Sequence, residues 1–125
     1  MDVTPLIKEG QQIIQSYAGG KFRVSAVEYN TPIIVSPQET IEWKNFDDFD
    51  SLNEESFQSL IDRAEEIDVV LLGTGETMKF FDPALKASLS QKGLVIDAMD
   101  TGAACRTYNV LMAEGRRVVA VLIQP

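Results

Sequence analysis

The sequence predicts a single α/β domain over residues 1–125, with a small additional antiparallel sheet or ribbon at its front. Three observations lead there. Apolar runs at Asp68-Val69-Val70-Leu71-Leu72, Leu94-Val95-Ile96 and residues 118–123 alternate with two stretches of helical spacing. Short alternating runs punctuated by Gly and Pro fill the first half. The length, 125 residues, suits one domain, and a chain of that size buries about two-thirds of its unfolded surface.

Residues 1–16 read as a loosely attached arm or short edge strand, followed by a turn at Gly19-Gly20. Phe22, Val24 and Ala26 alternate with Arg23 and Ser25, as a half-buried strand requires. Residues 28–32 read as a hairpin-like turn, and Ile33-Ile34-Val35 as the returning strand. Pro37 ends it, because proline has no amide for the ladder. Residues 41–43 suit another short strand, and residues 45–53 a polar, acidic loop. Phe57, Leu60, Ile61 and Ala64 then recur at helical spacing, which predicts a helix from about residue 52 through Glu65.

The run Asp68-Val69-Val70-Leu71-Leu72 is continuous rather than alternating, so it predicts an inner strand covered on both faces, ended by Gly73-Thr74-Gly75. Asp82 and Pro83 read as helix cap and first helical residue, with Leu85 and Leu89 facing inward and Gly93 as the stop. Leu94-Val95-Ile96 forms the next strand. Asp100 or Thr101 caps the following helix, whose Ala104, Tyr108 and Leu111 share a face, and Gly115 ends it before the last strand at residues 118–123. Strand–helix–strand–helix–strand order implies parallel pairing through right-handed crossovers, a loosely Rossmann-like second half.

Composition narrows the function. With no histidine and one cysteine, Cys105, the chain has no Cys-His dyad, no Ser-His-Asp triad, no mixed Cys/His zinc site and no intrachain disulfide. The net charge of -8 disfavours nucleic acid and anionic membrane surfaces. Residues 39–68 hold eleven acids and two bases, whereas residues 84–125 hold three acids and five bases. The acidic middle reads as a solvated surface or a docking face for a basic partner. The chain has no apolar run long enough to span a membrane, and no secretory or mitochondrial leader is visible, so a cytoplasmic location is expected.

The small-residue turns are the candidate site. Gly73-Thr74-Gly75 follows a buried strand and reads as either a tight structural turn or an anion-binding nest. A dinucleotide fingerprint needs a further glycine where Met78 stands, and no phosphate-loop ending follows. The triplet Asp100-Thr101-Gly102 matches that of aspartic proteases, but it occurs once and opens a helix, so it reads as a cap. Arg106 and Asn109, three apart, either hold an oxyanion together with the Gly73-Gly75 turn or pair internally, with Asp100 or Asp97 as partners for Arg106. Cys105 reads as a small core residue or, beside Arg106 in the first helical turns, as a reactive thiol. Trp43, Phe46 and Phe49 either cover the sheet or anchor a partner.

The segments Leu71-Leu72-Gly73-Thr74-Gly75, Met99-Asp100-Thr101-Gly102-Ala103-Ala104-Cys105-Arg106-Thr107-Tyr108-Asn109-Val110-Leu111 and Glu114-Gly115-Arg116-Arg117-Val118 carry a resemblance. From about Ile13 onward the chain resembles the small uncharacterised prokaryotic proteins of domain of unknown function 498, relatives of the mitochondrial respiratory complex I assembly factor three. The resemblance implies a mixed central sheet flanked by helices with an additional β layer. It implies no established enzymatic activity, and for the mitochondrial relatives a role in building complex I with a partner factor. It also implies a shared pocket of Gly73, Gly75, Asp100, Thr101, Gly102, Arg106 and Asn109.

The expected function is a non-enzymatic assembly or protein-interaction factor, with a protein partner related to respiratory complexes. No cofactor, metal or nucleic acid is expected. The alternative is a small-molecule or oxyanion-binding protein, or an unrecognised enzyme, with Gly73, Thr74, Gly75, Asp100, Thr101, Gly102, Arg106 and Asn109 around one pocket. A redox thiol at Cys105 is the third reading.

Overall fold

The computed structural model describes residues 10–125, so the first part of the expected arm lies outside the described residues. A three-stranded antiparallel sheet comes first, built from β1 (Ile14–Ser16), β2 (Phe22–Val24) and β3 (Val27–Tyr29) in that spatial order. β1 is a short edge strand, as the front of the sequence suggests.

The alternation expected to run through Ala26 stops at Val24, because Ser25 and Ala26 form the turn, with φ of 45° and 71°. Positive φ at both central positions is what a two-residue hairpin needs to match strand twist. Neither residue is glycine, so neighbouring bonds hold the shape. The Ser25 N–H donates to the Ile13 carbonyl (2.9 Å), and its hydroxyl accepts the Ile13 N–H (3.0 Å) and donates to the Gln11 carbonyl (3.2 Å). The hairpin therefore falls before residues 28–32, and Glu28 and Tyr29 lie in a strand.

Ile33-Ile34-Val35 crosses to a second sheet instead of returning. That sheet comprises β4 (Ile33–Val35), β5 (Thr40–Glu42), β6 (Val69–Gly73), β7 (Ile96–Met99) and β8 (Val118–Leu122), in the order β5-β4-β8-β6-β7. β6 pairs in parallel with β7 and β8, while β4 pairs antiparallel with β5 and β8. The sheet is thus mixed, and β6 is an inner strand. β7 starts later than the apolar run suggests: Leu94 is buried, and Val95 joins through its carbonyl, which accepts the Val70 N–H at 2.8 Å.

The helices are α1 (Gln58–Ile61), α2 (Pro83–Gln91) and α3 (Thr101–Ala113). The helix expected through Glu65 is broken into α1 and flanking 3₁₀ turns at Glu54–Phe57 and Ala64–Glu66. Asn53 caps the first of these turns with Ser56. The Trp43 indole then donates to the Ser56 carbonyl at 2.8 Å, the acceptor a continuing α-helix would offer to Leu60. α2 begins as expected, with Asp82 accepting the Ala84 N–H at 3.0 Å and Pro83 in the first turn.

Both faces of the main sheet are covered. On one, α3 and the three-stranded sheet bury Phe22, Val24, Leu71, Tyr108, Met112 and Leu122. On the other, α1, α2 and the aromatic loop bury Trp43, Phe57, Leu72, Leu89, Ile96 and Val121. Trp43 stacks on Phe46 (4.6 Å between ring centroids) and tilts against Phe57 (5.7 Å), so the aromatic cluster covers the sheet. Full burial of each large apolar side chain contributes about 1.5–3 kcal/mol relative to exposure.

Candidate functional site

The turn after β6 meets the start of α3 with no space between them. A Cβ on Gly73 would lie 2.9 Å from the Thr101 hydroxyl oxygen and 3.0 Å from the Thr101 Cα, so only glycine lets the strand end reach the helix. The Thr74 N–H donates to the Met99 carbonyl (2.9 Å), and the Gly75 N–H donates to Thr101 Oγ1 (2.8 Å). Thr101, fully buried, donates its hydroxyl to the Ile123 carbonyl (2.6 Å) and its N–H to the Gly75 carbonyl (2.8 Å). Thr74 Oγ1 donates to the Thr77 carbonyl (2.8 Å) and accepts the Lys79 N–H (3.0 Å). The amides that an anion nest would present are directed at protein oxygens.

Asp100 is the helix cap, its carboxylate accepting the Ala103 N–H at 2.9 Å. Over Gly102, a Cβ would meet Tyr17 Cε2 at 3.1 Å and both Arg106 Nη1 and Asp100 Oδ1 at 3.3 Å. The exposed Arg106 guanidinium donates to the Tyr17 hydroxyl at 2.7 Å. Its partner is therefore a residue the sequence did not single out, rather than Asp97 or Asp100.

Asn109 lies further along the helix and grips β1. Its Oδ1 accepts the Ile14 N–H (2.9 Å) and its Nδ2 donates to the Ile14 carbonyl (2.8 Å). Tyr108, fully buried, donates its hydroxyl to the Gln12 carbonyl (2.8 Å), and burial pushes the phenol above its ordinary pKa.

Cys105 is 1% exposed. Burial outweighs the nearby Arg106 charge and pushes the thiol up to about 12, the opposite of what a nucleophilic thiolate requires.

Gly73, Thr74, Gly75, Asp100, Thr101 and Gly102 thus meet at the end of β6, while Arg106 turns to Tyr17, just past β1, and Asn109 to Ile14 in β1. No group of three metal-ligating acids or thiols occurs among the described residues.

A different surface is open. Met78 and Phe80, in the segment between β6 and α2, are 60% and 78% exposed. They border a depression of about 390 Å³ against β7, and Phe80 also borders one of about 310 Å³ against Phe49 and Leu52. The sequence signal was the apolar cluster Met78, Phe80 and Phe81, with neither helical nor strand periodicity.

The family model described as protein of unknown function (DUF498/DUF598) matches residues 14–123. NADH dehydrogenase [ubiquinone] 1 alpha subcomplex assembly factor 3 of Bos taurus is 32% identical over 112 residues, covering 90% of this chain. The match spans 60% of the length of that relative. A crystal structure of a Bordetella parapertussis protein superposes with a TM-score of 0.82 at 32% identity, covering 93% of this chain and 98% of that one. The structure of an outer membrane protein from Bartonella henselae gives a TM-score of 0.81 at 31% identity, covering 92% and 96%.

Proposed function

This chain belongs to the DUF498/DUF598 family, and we propose that it acts as a non-enzymatic protein-interaction factor of the assembly-factor type. The observation that carries this reading is the pair of exposed apolar side chains, Met78 and Phe80, beside two shallow depressions. Large exposed apolar side chains grouped at a rimmed hollow are typical of protein-binding surfaces. In support, the polar groups at the strand end are already paired within the protein, and the single thiol is buried and held protonated.

In this reading, Gly73, Thr74, Gly75, Asp100, Thr101, Gly102, Arg106 and Asn109 are scaffold. They lock α3 to the main sheet and the three-stranded sheet to α3. The Bos taurus relative makes respiratory-complex proteins the first partners to seek. We place the chain in the cytoplasm, reaching membranes through its partner; no described helix is long and apolar enough to cross one.

Gentle affinity purification from both cytosolic and membrane fractions, followed by protein and small-molecule mass spectrometry, tests the role. A stoichiometric protein partner that is lost on Phe80→Ser supports it. Recovery of a bound metabolite with no protein partner would overturn it.

A further inference from the structure

β7 closes the main sheet on one side, and nothing among the described residues pairs with its outer edge. The Val70 N–H donates to the Val95 carbonyl and the Thr74 N–H to the Met99 carbonyl, so the odd-numbered residues of this strand turn their main chain toward β6. The pleat then turns the N–H and C=O groups of Ile96 and Ala98 outward. Such an edge is a template for another strand unless it is short, charged or covered.

The side chains around it are not uniform. Ile96 and Ala98 face the α2 side, where the hollow bordered by Met78, Phe80 and Pro83 lies. Asp97, whose Cβ alternates to the other face, is exposed and with Lys86 also borders the rim of the hollow; it has no hydrogen bond or ion pair among the described residues. An occupant that alternates apolar and basic residues satisfies both sides at once.

A second copy of this chain fits poorly. Antiparallel self-pairing of Ile96 with Ala98 sets Asp97 directly opposite Asp97, where Cα atoms approach to about 4.5 Å. Like charges so placed repel, and each copy carries a net charge of -8.

We propose that the outer edge of β7 takes an extended segment of a partner protein as a sixth strand, with Lys or Arg opposite Asp97 and apolar side chains entering the Met78–Phe80 hollow. This rests on the protein-interaction role proposed above and names where and how the partner is held.

The probe is an acetylated, amidated hexapeptide alternating valine and lysine, titrated into the full-length, nitrogen-15-labelled protein. The amide signals of Ile96 and Ala98 are expected to shift. The dissociation constant is expected to be on the order of millimolar, and about tenfold weaker for a valine–glutamate peptide. Asp97→Lys, at an exposed position, reverses that preference. Ala98→Pro removes an outward donor at an edge position where proline is tolerated, and abolishes the shifts while the melting curve stays cooperative. Equal response to both peptides, or shifts confined to other surfaces, would overturn the proposal. So would Ile96 and Ala98 signals that move with protein concentration alone, which would assign the edge to a second copy. A natural partner that stays bound to Ala98→Pro sinks this edge and leaves the interaction role standing; absence of any partner sinks the role itself.

Discussion

Asn109 holds Ile14 from both sides of one residue's backbone, accepting its N–H at 2.9 Å and donating to its carbonyl at 2.8 Å across 95 positions of sequence. A side-chain amide here takes the place of a neighbouring strand. With Tyr108 on Gln12 and Arg106 on Tyr17, it fastens β1 to α3 at successive points.

Asn109→Ala leaves both Ile14 groups without their partner, and a part-buried polar group so stranded costs about 1–3 kcal/mol. The melting temperature is expected to fall, and the Ile14 amide to exchange faster while amides of β6 and β8 stay protected. Uniform acceleration across both sheets would show that the clamp is not local. Asn109→Asp accepts but cannot donate, and lies between the two.

Gly73→Ala forces a methyl to within 3.0 Å of the Thr101 Cα, a backbone atom that no rotamer change can move. Overpacking of this kind costs about 1–3 kcal/mol. Thr101→Val keeps the shape, but strands the Gly75 N–H and the Ile123 carbonyl, for a loss of about 1–3 kcal/mol. Denaturant midpoints measure both, and because the residues touch, the double variant is expected to be non-additive.

Cys105 is expected to resist thiol reagents at mildly alkaline pH and to react at once in denaturant. The thiol of the unfolded chain ionises near its ordinary value, whereas the folded one is held protonated to about 12. The stability this provides is present below the unfolded value and is lost as pH rises from there toward about 12. Labelling of the native protein as fast as of the denatured protein would contradict the burial.

Asp68 and Glu54 contribute to the acid limb. The Arg117 guanidinium on Asp68, and Ser88 followed by Lys92 on Glu54, hold these carboxyls below their ordinary range. Depressed values favour the folded state above the unfolded-chain pKa, and the advantage disappears as pH falls through the lowered folded values. Asp68→Asn and Glu54→Gln should each flatten the loss of thermal stability on acidification, more so in low salt.

Much of the second half was legible because local pattern and tertiary role agree there. The unbroken apolar run of β6 marks an inner strand, Asp82-Pro83 marks the start of α2, and Asp100 caps α3. The front half was less legible for a definite reason. The Ser25-Ala26 turn contains no glycine and is imposed by bonds from Gln11 and Ile13. The helix expected through Glu65 breaks twice, and at the first break the indole of Trp43, from a different segment, takes the Ser56 carbonyl. At the candidate site, residue types were readable but directions were not. The sequence lets Arg106 face the Gly73 turn or pair with Asp100 or Asp97, whereas its hydrogen bond goes to Tyr17, 89 positions away. Phe80 escaped notice because exposure leaves no periodic trace.

β8 is the last of the eight described strands in chain order, yet it lies between β4 and β6. Before residues 118–122 are made, β4 can pair with β5 and β6 with β7, but nothing joins the two pairs, and the strand edges that β8 later fills stay open. A chain halted before Val118 therefore holds two unjoined strand pairs, and slow codons placed just before Val118 would prolong that divided interval.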